Sequence, residues 1–422
     1  MSTLRAIIAG LTLVFLFMSG SEAGEGAVPA YGDLHLESWS PRNNFRPIRN
    51  LQTGGKASFG FNEEFIWGYL QSRGVGCTDC ASNSPAIPLD VAKSYLDVLN
   101  RHDVQIAREI VPERFVADPA NDRWIEEVLK EYEKRKFTVV LALAWPVAHS
   151  PGKCFGFARP DREFDHFAYN YSAAIARLIL SLAERGSLER SWLQTQLLVE
   201  PWNEFDSVCD GAAGSPERAA RYQGIMQLVF DRSGLGNEVL MPSVVSVFRF
   251  NATTAVTGRF GRANAYLQAY YRAGGSGRPN VHLYPDVHWA KQPAEMSKIL
   301  EDEIKRVNNM VPDAYRGSLL VGETAVHALS DVPQCNAHAM AGSARAELYG
   351  DLLDNPGINR GAGAVLFWRL FGLEGMTPNA DNCDQFNGAT SNAWRDVKSP
   401  PDALSTFNQT GIDLLNDFSR RH

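Results

Sequence analysis

The sequence predicts an α/β fold, a (β/α)8 TIM barrel built as a single domain, and three observations carry that prediction. Short apolar runs alternate with longer amphipathic stretches; eight such runs can be counted; and neither a GxGxxG motif nor a Walker-type phosphate loop marks an open, doubly wound sheet. The runs are Ala57–Phe61, Val104–Ile110, Thr138–Ala144, Gln196–Glu200, Val239–Val245, Asn280–Tyr284, Leu319–Gly322 and Ala364–Trp368. Each is rich in Val, Leu, Ile or Phe, as expected of parallel strands covered on both faces. Helical patterns fall between them at Pro88–Leu99, Asp122–Lys136, Phe167–Arg185, Glu217–Phe230, Pro293–Asn308 and Gly342–Leu353, with a last helix near Pro401–Phe418.

Composition bounds the function. The chain has 422 residues, 45% hydrophobic and 21% charged, which is enough apolar material for one large core. Its formal net charge of −7, with no Lys/Arg cluster, argues against a nucleic-acid surface. Mild acidity suits a neutral partner without selecting one.

The first 23 residues read as a signal peptide: Arg5 precedes an apolar stretch from Ala6 to Met18, and Ser21-Glu22-Ala23 supplies small residues for cleavage. The apolar stretch is shorter than the ~20 residues of a spanning helix. The expected product is a secreted or periplasmic monomer with no stable membrane insertion after cleavage. Residues 24–50 are polar and proline-containing, a linker or an arm packed on the domain, and residues 51–422 form the barrel with its C-terminal helix. Six cysteines fit an oxidising compartment. Cys77 and Cys80 lack the matching second pair of a zinc site, so loop disulfides are expected, with Cys77–Cys80, Cys154–Cys209 and Cys335–Cys383 as the pairing.

In such a barrel the chemistry lies at the C-terminal ends of the strands. The polar residues that end the runs are Asn62, Glu63 and Glu64 on the first, Arg108 on the second and Trp145 after the third. The fourth ends in Glu200-Pro201-Trp202-Asn203-Glu204, and the sixth in His282-Leu283-Tyr284-Pro285-Asp286. The seventh ends in Gly322-Glu323 and the eighth in Trp368. Two carboxylates, an Asn, an Arg, a Tyr and several Trp on one rim suit cleavage of a glycosidic bond. That reaction needs one protonated carboxyl to assist the leaving oxygen and one ionised carboxylate to attack the anomeric carbon.

Val199-Glu200-Pro201-Trp202-Asn203-Glu204 resembles the strand-four motif of glycoside hydrolase clan A, most closely in its family 39 form. Leu320-Val321-Gly322-Glu323 resembles the clan's strand-seven nucleophile motif, and His282-Leu283-Tyr284 resembles the strand-six His-x-Tyr of family 5. The resemblance implies a retaining (β/α)8-barrel glycosidase with Glu204 as acid/base and Glu323 as nucleophile. It further implies that Asn203 bonds the sugar 2-hydroxyl, Tyr284 bonds the nucleophile, Arg108 lies beside it and Trp368 forms a platform under the sugar. Phe205 stands where Pro commonly follows the acid/base, and His288 is a second strand-six histidine competing with His282. Trp145 and His288 complete the expected substrate-binding set. The expected substrate is a β-linked polysaccharide or oligosaccharide, with no metal and no cofactor. Glu200 remains an alternative acid/base. A catalytically silent glycan-binding barrel and a retaining transglycosylase are the alternative functions.

Overall fold

The computed structural model describes residues 27–36, 48–76, 86–144, 161–206, 214–245, 247–248, 256–284, 293–324, 342–368, 370, 390 and 393–421. Its strands are β1 (Ser58–Glu63), β2 (Ile106–Pro112), β3 (Thr138–Ala144), β4 (Leu197–Glu200), β5 (Asn280–His282), β6 (Leu319–Thr324) and β7 (Ala362–Phe367). They form one parallel sheet in the order β4-β3-β2-β1-β7-β6-β5. Parallel neighbours need crossover connections, and helices supply them on the outside.

The fifth expected strand, Val239–Val245, does not form a regular ladder. It touches its neighbours through isolated parallel bridges, Val199 with Val239 and Val244 with Val281, and so spans the gap between β4 and β5. The reason is local. Pro242 has no N–H to donate, and the surrounding donors divide between the two flanks. Leu240 N–H donates to Val199 O at 2.9 Å and Met241 N–H to Arg278 O at 3.1 Å. With that segment in place the curled sheet closes into a (β/α)8 barrel.

Alternation sorts each strand into an inward and an outward set. Ile106, Val140, Leu198, Leu240, Leu320, Ala364 and Leu366 pack together inside the barrel with Leu51, which precedes β1. Ile110, Ala142 and Ala144 form a second inner group against Trp368. The outward residues, among them Phe61, Val139, Val199, Val281, Val321 and Val365, join the large core beneath the helices. Between the two inner groups lies Arg108, fully buried.

Observed helices at Leu89–Arg101, Asp122–Lys134, Asp161–Glu184, Pro216–Arg232, Pro293–Met310 and Gly342–Asp354 follow the sequence pattern within a few residues at most ends. The expected last helix is two, Pro400–Ser405 and Gln409–Arg421, interrupted where Phe407 turns into the core. Phe65–Ser72 has no counterpart among the expected helices, because its residues from Phe65 to Leu70 are all buried and carry no polar stripe. Val256–Arg272 was not expected either.

The stretch 27–36 packs on the domain: Leu34 and Leu36 are buried, Tyr31 stacks on His166, and Tyr169 donates to Pro29 O at 2.8 Å. The proposed signal peptide and all six cysteines lie outside the described residues. Among the described residues no helix is long and apolar enough to cross a membrane.

Candidate active site

Inward alternation on β1 and β2 places Asn62 and Arg108 side by side in register, while Glu63 and Glu109 face the helices. Of the polar residues ending β1, therefore, Asn62 joins the site and Glu63 does not. Its amide nitrogen donates to Gly322 O at 2.9 Å, and its oxygen accepts from Arg108 Nη1 at 2.7 Å.

Arg108 organises the centre. Its Nε and Nη2 grip Glu200 in a two-point pair at 2.7 and 2.8 Å. Nη1 donates to Glu323 Oε1 at 2.8 Å, and Nη2 also donates to Asn203 Oδ1 at 2.6 Å. Burial would lower the guanidinium pKa, but Glu200 and Glu323 hold it charged, above its ordinary value. Burial would likewise raise Glu200; the Arg108 charge and bonds, aided by His282 and Ser243, bring it below the usual carboxylate range instead. Glu200 is fully buried and spent on Arg108, which removes it from the rim as a rival to Glu204.

Glu323 reaches the mouth through a backbone irregularity. Strict alternation after Leu320 would turn it toward the helices. Pairing with β5 advances one residue, from Val281 to His282, while β6 advances two, from Val321 to Glu323. Pairing with β7 shows the same extra residue between Val321 and Thr324. Such a bulge re-aims a side chain. A Cβ on Gly322 would lie 2.6 Å from Asn280 Oδ1 and 3.2 Å from His282 Nε2, so the position admits only glycine without displacing both.

Both oxygens of Glu323 are held: Arg108 donates to Oε1, and the Tyr284 hydroxyl donates to Oε2 at 2.5 Å. Burial pushes the Glu323 carboxyl up, and Glu204 pushes the same way. His282, Arg108 and the Tyr284 bond oppose them without cancelling the rise.

Glu204 is also aimed by unusual backbone. Its φ is 53°, in the left-handed region, which costs a non-glycine residue about 1–3 kcal/mol and persists only where neighbours hold it. Its side chain, 22% exposed, is the most open of the central carboxylates. His282 Nδ1 lies 3.1 Å from Glu204 Oε1 and 3.3 Å from Glu323 Oε2. One ligand atom from each of Glu204, His282 and Glu323 lies within 4.8 Å of the others. These three donors could reach a cation, but Arg108 already rests on Glu323, and a second positive charge beside it would be repelled.

Asn203 accepts through Oδ1 from Arg108 and, at 3.4 Å, from Ser243, which leaves its NH2 turned away from those partners. Trp368 is partly buried over Ile110, Ala142 and Ala144 at the end of β7, with its backbone N–H donating to Thr324 O. Trp202 is core instead, 1% exposed with edge contacts to Phe205 and Tyr222. Trp145 and His288 lie outside the described residues. The structure thus brings together Arg108, Asn203, Glu204, His282, Tyr284 and Glu323, with Trp368 at the mouth. Sequence reasoning missed Ser243, whose hydroxyl accepts from Glu204 N–H at 2.8 Å. The available signal was a lone polar residue inside the apolar run Val239–Val245.

These features define a closed parallel barrel with paired carboxylates at the C-terminal ends of its strands. Solved structures share that fold. The exo-β-1,4-mannosidase Op5Man5 from Opitutaceae bacterium strain TAV5 is 14% identical, with a TM-score of 0.55 over 90% of this chain and 62% of that one, so the chain spans under two-thirds of that protein's length. A GH5_18 protein of Streptomyces cattleya in complex with GlcNAc is 12% identical, with a TM-score of 0.55 over 86% of this chain and 80% of that one. A fungal β-1,4-galactanase is 14% identical, with a TM-score of 0.51 over 86% of this chain and 99% of that one. No protein-family model matches the chain, and no curated protein matches it significantly in sequence.

Proposed function

We propose that the chain is a retaining glycoside hydrolase that cleaves a β-linked polysaccharide or oligosaccharide, with Glu204 as acid/base and Glu323 as nucleophile. One observation carries the reading: one carboxyl oxygen of Glu204 and one of Glu323 lie within 4.8 Å of each other at the barrel mouth. Retaining enzymes keep their carboxyl groups about 5–5.5 Å apart, whereas inverting ones leave about 6.5–9.5 Å for a water. The fold shared with a β-1,4-mannosidase and a β-1,4-galactanase supports the reading.

In the first step Glu204, the more exposed carboxyl, gives its proton to the leaving glycosidic oxygen while Glu323 bonds the anomeric carbon. Arg108 and Tyr284 hold the attacking carboxylate in one orientation, so little reorganisation remains to be done at the transition state. In the second step Glu204, now ionised, takes a proton from water as that water displaces Glu323 and restores the free carboxylate. The free NH2 side of Asn203 suits a sugar hydroxyl beside the reacting carbon, and Trp368 suits a ring face. Export by the N-terminal signal peptide to the periplasm or beyond belongs to the same proposal, since polymeric glycans are met outside the cytoplasm.

The test is hydrolysis of a polysaccharide panel by the purified chain, followed through new reducing ends, with Glu323→Ala as control. The expected outcome is product from the wild type and a loss of several orders of magnitude in the variant, both folded by circular dichroism. Unchanged hydrolysis by Glu323→Ala would sink the assignment; glycan binding without product from the wild type would favour a silent barrel.

A further inference from the structure

The segment that fails to form a ladder spends its hydrogen bonds on the turn that carries Glu204. Ser243 N–H donates to Trp202 O at 3.0 Å, and Phe205 N–H returns to Ser243 O at 2.8 Å. Between them the Ser243 hydroxyl accepts from Glu204 N–H at 2.8 Å. Its own hydrogen faces carboxylate and amide oxygens, those of Glu200 and, at 3.4 Å, Asn203. The lone pairs of Oγ are thereby presented to the Glu204 backbone. Two residues downstream of Glu204 the staple is reversed: Asp206 Oδ1 accepts from Val245 N–H and Oδ2 from Val247 N–H, both at 2.8 Å. The turn 203–206 is thus fastened on both sides of the one residue in it whose φ is positive.

We propose that Ser243 is a positioning residue for the Glu204 carboxyl, acting through the backbone it holds in the left-handed conformation, with Asp206 securing the far side of the same turn. Ser243 is fully buried, so it does not reach the cleft itself. Removing its hydroxyl leaves Glu204 N–H without an acceptor on that side and frees the turn to relax toward ordinary φ. The carboxyl would then swing off the leaving oxygen. The Glu323 contacts to Arg108 and Tyr284 are not made to Ser243 itself, whose hydroxyl reaches Arg108 only at one remove, through Glu200 and Asn203. A misplacement of about 1 Å can cost about a hundredfold in rate.

This inference rests on the acid/base reading of Glu204, and a leaving-group series separates the two. The full-length chain is assayed on aryl and alkyl β-glycosides of whichever sugar the wild type hydrolyses, ordered by leaving-group pKa. A mispositioned acid matters where the leaving group needs protonation and hardly at all for dinitrophenolate. Ser243→Ala is expected to lose kcat/KM by about tenfold to a hundredfold on alkyl glycosides and less than threefold on dinitrophenyl ones. Glu204→Ala should show the same slope more steeply, and Ser243→Thr, which keeps a hydroxyl, should restore most of the loss. If Ser243→Ala does not fold, Asp206→Asn carries the test with the same expected slope. An equal loss on every leaving group, or no advantage of Thr over Ala, overturns the positioning role while leaving the hydrolase reading intact. A wild type that cleaves none of the series and no polysaccharide overturns both.

Discussion

Arg108 carries one positive charge between two carboxylates, with five hydrogen bonds to Asn62, Glu200, Asn203 and Glu323. Its value lies in geometry more than in net energy, because burying the ions costs much of what their attraction returns. The planar fork lets one side chain grip Glu200 at two points and still reach Glu323, which a lysine ammonium cannot reproduce. Tyr284 is the more delicate control. Its hydroxyl stabilises the ionised form of Glu323, opposing the burial that raises that carboxyl. Tyr284→Phe removes the opposition, so the Glu323 pKa rises further. Since attack requires the carboxylate, activity is lost on the acid side as Glu323 protonates. The acidic limb of kcat/KM against pH should therefore move to higher pH in Tyr284→Phe, with the basic limb unmoved. An acidic limb that stays in place would show that the bond does not control the nucleophile.

At the scale of elements, regular strands position Asn62 and Arg108, and irregular backbone positions Glu204 and Glu323, the two residues proposed to react. Register alone sets Asn62 opposite Arg108. Glu323 depends on the extra residue in β6, and Glu204 on its left-handed turn. Gly322→Ala tests the first of these. The added methyl meets Asn280 and His282 in a filled interior, and overpacking of this kind costs about 1–3 kcal/mol. The expected result is a lowered melting temperature together with a fall in kcat, as β6 shifts to make room. A variant with wild-type stability and rate would show that the strand tolerates the methyl and that the close approach is unimportant. Of the site, Glu204, Glu323, Arg108 and Tyr284 were legible from their positions at the ends of apolar runs. Ser243 was not, because a buried serine in a strand-like run looks the same whether it bonds its own neighbours or a turn forty residues away.

Across the whole molecule, buried acids behind the barrel wall tie stability to pH. Tyr132 OH lies in hydrogen-bond range of Glu63 Oε2, at 2.6 Å, and of Glu109 Oε1. A phenol has one hydrogen to donate, so the second bond needs a hydrogen from a glutamate. Glu63 is the expected donor, since Glu109 already accepts from Ile66 N–H at 3.1 Å. Burial pushes Glu63 well above the carboxylate range, Glu109 up to about 7 and Glu113 up to about 8. Groups raised in the folded state favour folding most at low pH, and that contribution is lost as the pH climbs toward their folded values. Glu200, lowered by Arg108, acts in the opposite sense and loses its contribution as the pH falls through its own value. The melting temperature should therefore be highest in mildly acidic buffer and decline as the pH rises through 7 and 8. Glu63→Gln, whose amide can donate to Tyr132 without titrating, should flatten that decline; an unaltered slope would mean that Glu63 is not the proton carrier.

The sequence by itself determined the barrel, because runs covered on both faces and alternating with amphipathic helices admit few other packings. It also put Arg108, Asn203, Glu204, Tyr284 and Glu323 at or near the ends of the apolar runs, where the rim of such a barrel lies. Only the tertiary structure decided which face Glu323 occupies, since one extra residue in β6 reverses an alternation that composition cannot reveal. It alone likewise removed Glu200 and Trp202 from the rim, one by pairing with Arg108 and the other by packing in the core. Both outcomes depend on partners brought together from distant parts of the chain, and local pattern carries no record of such partners.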